Sequence, residues 1–102
     1  MSALRAQYEA EVRALAERAR DLRAQGLGAE QIARLVHAER RALAARFKAL
    51  TPEPMRGRIT ARSLRVHGDA DGPSIEALCD SGKSWDQIIE AAARPGRFPP
   101  QG

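Results

Sequence analysis

Aromatic residues are scarce: one Trp, one Tyr and two Phe make up 4% of 102 residues. A core must then be built from Ala, Leu, Ile and Val. Cysteine is reduced to Cys79 alone, which excludes an internal disulfide and a cysteine-rich metal site and fits a reducing compartment. Histidine occurs only at His37 and His67, and two isolated imidazoles with no third ligand do not make a zinc site. No apolar run approaches the roughly 20 residues of a membrane helix, and the opening residues carry no apolar signal segment. No alternating run and no hairpin dipeptide between apolar stretches marks a strand. These absences lead us to expect a cytoplasmic protein with no membrane partner, no metal and no cofactor.

What the chain does have is helical. Ala, Leu, Arg and Glu are strong helix formers, so composition predicts an all-α fold. The length suits one domain over residues 1–96, with one core and no deep pocket beside it, and a disordered tail over 97–102.

Leu4, Tyr8, Val12, Leu15, Ala19 and Leu22 step by four and three, the narrow seam of a long amphipathic helix over 3–25. Gly26 stops it and Gly28 opens a second helix with the stripe Ile32, Leu35, Val36, Leu43, Phe47 and Leu50, interrupted at Glu39 and Arg40. The short connection predicts an antiparallel hairpin over 3–50. Because of the interruption, part of the first seam is expected to stay open and to support weak homodimerisation.

Three short helices are expected over 52–94. The first begins at Thr51-Pro52-Glu53, with Thr as cap, and ends at Gly68. Met55, Ile59 and Val66 share its apolar face. The second starts at Asp71-Gly72-Pro73 and ends at Gly82. The third has Ser84 as cap and Gln87 completing a capping box, and it stops at Pro95-Gly96. Trp85, Ile75, Leu78 and Ile88 are expected to anchor the core of this half.

Charge is uneven. The chain carries +4 overall. Residues 1–50 hold ten Lys/Arg against six Asp/Glu, while residues 51–102 hold seven of each. Only Lys48 and Lys83 of the 17 basic residues are Lys; Arg suits bidentate contacts to carboxylate or phosphate, although a GC-rich genome produces the same bias. Arg58, Arg62 and Arg65, at i, i+4 and i+7, form one basic stripe, and we add Arg94 as a candidate anion-binding residue. Their partner is either internal, from the acids Asp69, Asp71, Glu76, Asp80, Asp86 and Glu90, or external: an acidic protein or an RNA or DNA backbone bound weakly. Arg34, Arg41 and Lys48 offer a second basic surface on the second helix.

Other patterns carry less. Gly82-Lys83-Ser84 resembles the end of a phosphate-binding loop, but Ala77 stands where the first Gly belongs and no strand precedes it. Asp69-Ala70-Asp71-Gly72 lacks the Gly and Glu spacing of a calcium loop. His37 reads as a solvated mid-helix residue. His67, at a helix C-terminus beside Arg62 and Arg65, is the one acid–base candidate and would suit an RNA-cleaving site. Gly26 and Ile32 have the spacing of a helix-turn-helix, with Gln31 and Arg34 placed for groove contacts.

Arg58-Ile59, Arg62, Gly68-Asp69, Gly72-Pro73-Ser74-Ile75-Glu76, Gly82-Lys83-Ser84-Trp85, Ile88-Ile89-Glu90, Ala92 and Arg94-Pro95-Gly96 together resemble a segment near the C-termini of bacterial polymorphic toxins, of the filamentous-haemagglutinin and Rhs types, and of short orphan proteins like them. The resemblance spans about residues 40–96. It departs at His67, where such segments carry an aromatic, and at Arg97-Phe98, where a second Gly is usual. It implies a bacterial origin and a toxin-like or toxin-associated role, and it names no reaction. The leading expectation is a small interaction module presenting an Arg-rich face to an acidic partner. A toxin-like ribonuclease and a helix-turn-helix DNA binder are the alternatives.

Overall fold

The computed structural model describes residues 3–95, so the expected tail over 97–102 lies outside the described residues. Six helical segments follow one another with no strand among the described residues: α1 (Ala3–Arg13), α2 (Leu15–Ala24), α3 (Ala29–Leu50), α4 (Met55–His67), α5 (Ile75–Asp80) and α6 (Trp85–Ala92). The first long helix is divided at Ala14, where ψ is −17°. Its ladder continues across the division, with Ala14 N–H donating to Ala10 O at 3.0 Å and Arg18 N–H to Ala14 O at 3.1 Å.

Gly26 and Gly82 end their helices in the same way. Each has a positive φ, 97° and 89°, which an L side chain rarely adopts. That turn lets Leu27 N–H reach Leu22 O at 3.2 Å and Lys83 N–H reach Leu78 O at 3.1 Å, closing carbonyls the helix leaves open. The reversal at Gly26 lays α1 and α2 antiparallel to α3.

Two apolar clusters hold the hairpin and α6. One joins Ala19, Leu22, Ile32, Val36 and Ala92, with Leu27 and Ile89 against it. The other joins Tyr8, Val12 and Phe47, with Leu4, Leu43 and Ala44 alongside. Tyr8 and Phe47 meet edge to face, with ring centroids 5.4 Å apart. The first-helix seam is therefore buried within the chain, from Tyr8 to Leu22. At the interruption Glu39 pairs with Arg18 at 3.2 Å, and Arg40 crosses to the end of α6.

Several expectations are corrected. Leu35 and Leu50 face water, while Ala33 and His37 from the same helix are buried. Leu35 lies about 100° round the helix from Val36, off the contact line, and Leu50 sits at the far end of α3. Thr51 closes α3 instead of capping α4: its hydroxyl donates to Phe47 O at 2.8 Å and is buried. Glu53 serves the start of α4, its carboxylate accepting from Gly57 N–H at 2.8 Å. Ser74, three residues after Asp71, caps α5 by accepting from Ala77 N–H at 3.1 Å. Of the four anchors, Ile88 is buried, whereas Trp85, Ile75 and Leu78 are half-buried. Trp85 lies at the first turn of α6, where the Arg34 guanidinium covers its ring at 5.2 Å. Ser84 and Gln87 do form the reciprocal box, at 3.1 and 2.9 Å.

Candidate functional site

α4 differs from every other long helix of this chain. None of its residues is buried. It carries Arg56, Arg58, Arg62 and Arg65 and no Asp or Glu. Ile59 and Ser63 turn toward α3, and Ser63 Oγ donates to Asp69 O at 2.7 Å. Leu64 and Val66 are 50% and 56% exposed, so the expected apolar face of α4 is only partly used.

The arginines of α1, α2 and α3 are all engaged inside the molecule. Arg5 and Arg13 reach Glu9, Arg18 reaches Glu39, Arg20 reaches Glu17, Arg23 reaches Asp86, and Arg46 reaches Glu11. Arg34 pairs with Glu30 at 3.0 Å. Arg40 and Arg41 bond to backbone carbonyls. On α4, by contrast, Arg58 and Arg65 are exposed and have no hydrogen-bond or ion-pair partner among the described residues. Arg62 does interact within the chain and lines a cleft. Arg94, the fourth candidate, sits apart from this stripe and pairs with Glu90 on α6.

Four of the six acids expected to neutralise the stripe pair with other cations, Asp86 with Arg23 and Glu90 with Arg94 among them. Asp69 pairs with Arg41 and Asp71 with Lys48, each at 3.2 Å. These contacts belong to a strap that binds the α4–α5 connection to α3. Arg41 Nη1 donates to Gly72 O at 2.8 Å and Pro73 O at 3.0 Å. Lys48 Nζ donates to Ala70 O at 3.0 Å. His37 Nε2 donates to Pro73 O at 3.0 Å, and Asp69 Oδ1 accepts from Asp71 N–H at 2.8 Å. Arg41 and Lys48 are thus structural cations and not a second free surface. A signal for this was present: His37, Arg41, Ala44 and Lys48 step by four, three and four, one helical stripe opposite a turn rich in carbonyls.

No family, curated protein or solved structure matches this chain.

Two environments follow from the strap. Asp69 has its carboxyl held below the usual range, first by the Asp71 N–H bond and then by Arg41. His37 is 8% exposed, not solvated as the sequence suggested, and burial pushes its imidazole pKa below 6.5. The Pro73 carbonyl works against that shift, while Arg41 and Arg40 add to it and Glu76 opposes it. The unfolded chain then binds this proton more readily than the folded chain. Stability from His37 is full above pH 6.5 and is lost as pH falls through the lower folded value. We expect urea unfolding of the wild type to weaken between pH 7.5 and 5.5 more than that of His37→Gln, a window set by about one pH unit on either side of the ordinary value. Equal slopes for the two proteins would show that His37 is not the group responsible.

Beneath the strap lies a cleft of about 310 Å³. It is bounded by α3, α4, the 70–73 turn and α6, with Tyr8 of α1 at its wall. Arg40, Arg41, Lys48 and Arg62 reach it, against one lining carboxylate, Asp71. Ile59, Leu78 and Ile88 supply apolar wall. His67 also lines it but makes no hydrogen bond to an orienting carboxylate among the described residues, which is what a general base usually has. Of the helix-turn-helix candidates, Gln31 accepts from Gly28 N–H at 3.1 Å as a cap, and Arg34 is held by Glu30 and Trp85.

Proposed function

We propose that this protein is an interaction module that docks α4 on an acidic surface of a partner protein. The observation that carries the reading is the contrast between Arg58 and Arg65, exposed and unpartnered on a helix with no acid, and the engaged arginines of α1 to α3. A cationic helix with no buried residue contributes little to the core and so is free to serve an interface. Leu64 and Val66 stand exposed on the same helix. That mixture favours a partner with carboxylates and apolar side chains over a phosphate backbone, which offers no apolar match. The toxin-associated setting implied by the resemblance belongs to this proposal as its biological context.

Nucleic acid is the competing ligand. Each phosphate neutralised on a single strand adds about −0.7 to the slope of log K against log salt, so three arginines reach a slope of only about −2. Binding of that kind is weak and disappears near physiological salt.

The test titrates a synthetic helical peptide of Glu and Leu, and separately a single-stranded RNA, at low and physiological salt. We expect the peptide to remain bound at physiological salt and the RNA to be released. Arg58→Glu/Arg65→Glu should weaken the peptide by about tenfold or more, since hydrogen bonds to charged groups contribute about 1.5–3 kcal/mol each. Circular dichroism should be unchanged, because neither side chain is packed. RNA bound more tightly than peptide at physiological salt would reverse the assignment. A double variant that binds the peptide like wild type would remove α4 as the interface.

A further inference from the structure

We propose that the acidic surface on which α4 docks belongs to a second copy of this chain: Arg58 and Arg65 of one molecule pair with Glu76 and Asp80 on α5 of the other. The proposal rests on the reading of α4 as a docking helix and names its partner.

The internal ion pairs leave few charges over. Among the described residues every acid is in an ion pair except Asp21, Glu76 and Asp80. Two of these three stand on α5, which carries no Lys or Arg, and both are exposed. Glu76 acts on His37 through its field but forms no ion pair. The exposed cations without a partner are Arg58 and Arg65 on α4 and Lys83 in the turn after α5. Arg62, which interacts within the chain, is not among them. Asp21 and Lys83 are single groups. The other four come as two pairs of one sign, each on its own helix. Unmatched charge is thus sorted, positive on α4 and negative on α5, and within one molecule the two sets form no ion pair with each other. A two-fold pair of molecules lets them meet, with α4 of each against α5 of the other. Such a contact is made twice and closes on itself.

Spacing and chemistry suit the match. Arg58 and Arg65 are seven residues apart, two turns along one line of α4, or about 10.5 Å. Glu76 and Asp80 are four apart, neighbours on one face of α5 and about 6 Å along it. The long arginine stems bridge that difference, and each carboxylate can accept a guanidinium fork through two oxygens. Leu64 and Val66 stand exposed on either side of Arg65 in the chain. Ala77 and Cys79, exposed between the two acids in the chain, offer small apolar surface to them, since a free Cys behaves as a small hydrophobe. Exposed ion pairs are individually weak, so the association is modest. It is also salt-sensitive, because charges are screened over about 8 Å at physiological ionic strength.

The experiment is sedimentation of the full chain over a range of concentrations, at low and high salt. Four samples are compared: wild type, Arg58→Glu/Arg65→Glu, Glu76→Lys/Asp80→Lys, and an equimolar mixture of the two variants. We expect the wild-type mass to rise from monomer toward dimer with concentration at low salt and to fall back as salt is added. Each variant alone sets like charges against each other, which strongly disfavours contact, and should self-associate about tenfold or more weakly. The mixture should restore association, because an acidic α4 then meets a basic α5 and a basic α4 an acidic α5. A folding defect in either variant would not be repaired by mixing. If Glu76→Lys disturbs α5 by circular dichroism, Asp80→Lys alone takes its place, since a cation suits the C-terminal end of a helix. Alkylation of Cys79 should slow as the wild type associates. A wild type that stays monomeric at every concentration at low salt overturns the proposal, as does a mixture that associates no better than its components. If the Glu and Leu peptide still binds such a monomer, α4 docks on a different protein; if the peptide fails as well, the docking role falls with the dimer.

Discussion

Ile32→Ala is expected to destabilise the protein by about 2–5 kcal/mol, the range for an aliphatic side chain cut back to Ala in a packed core. Ile32 is 0% exposed and joins Leu22 and Val36 of the hairpin to Ala92 of α6. The loss is a large share of the roughly 5–15 kcal/mol that holds a small domain together. Ile32→Val removes one methylene and should cost about 0.5–1.5 kcal/mol. Leu35→Ala, three residues on and 41% exposed, should stay within about 0.5 kcal/mol of wild type. Urea unfolding of the three variants checks the order. If Leu35→Ala costs as much as Ile32→Ala, the rotation of α3 described above is wrong.

Arg41→Ala should destabilise by about 2–3 kcal/mol, because it leaves carbonyl acceptors in a partly enclosed strap without a donor, at about 1–3 kcal/mol for such groups. The side chain is 28% exposed and reaches Gly72 O, Pro73 O and Asp69 together. Arg41→Lys should recover little of the loss, since an ammonium is a point charge and cannot span these acceptors as a planar fork does. Unfolding by urea gives the global effect. Amide exchange gives the local one: protection at residues 69–75 should fall more than protection around Val12 and Phe47, which are buried in the hairpin. Unchanged stability in Arg41→Ala would show that Lys48, His37 and Ser63 hold the strap without it.

Much of the architecture was legible from local rules. The seam of the first helix, the reversal at Gly26, the capping box at Ser84 and the stop at Gly82 each depend on residues within a few positions of one another, and periodicity and capping read such relations directly. The errors have one origin. Leu35 and Leu50 were assigned to the core because apolar spacing alone does not say how a helix is rotated against its neighbour. Thr51 was assigned to the following helix because a Thr before Pro suits a cap there, yet its hydroxyl found the nearer carbonyl of Phe47. Trp85 shares the apolar spacing of Ile88 and Ala92, but its position at the first turn of α6 leaves the ring beside Arg34.

For the candidate site the division is similar. The stripe of Arg58, Arg62 and Arg65 could be read from its spacing, because side chains three and four apart on a helix are neighbours wherever the helix lies. Which of the other cations were available could not be read. Arg41 and Lys48 looked like a free basic surface; His37 looked solvated. Each meets the 69–73 turn, more than 20 residues away along the chain, and only the folding of α4 back on α3 brings that turn to them. By itself the sequence determined that this chain is helical, where most of its helices begin and end, and that α4 is cationic without acids, since these are properties of short segments. The tertiary structure alone decided which arginines keep their charge unmatched and that a basic cleft lies beneath the strap. Pairing and enclosure are relations between distant residues, set by how helices pack and not by the order in which they occur.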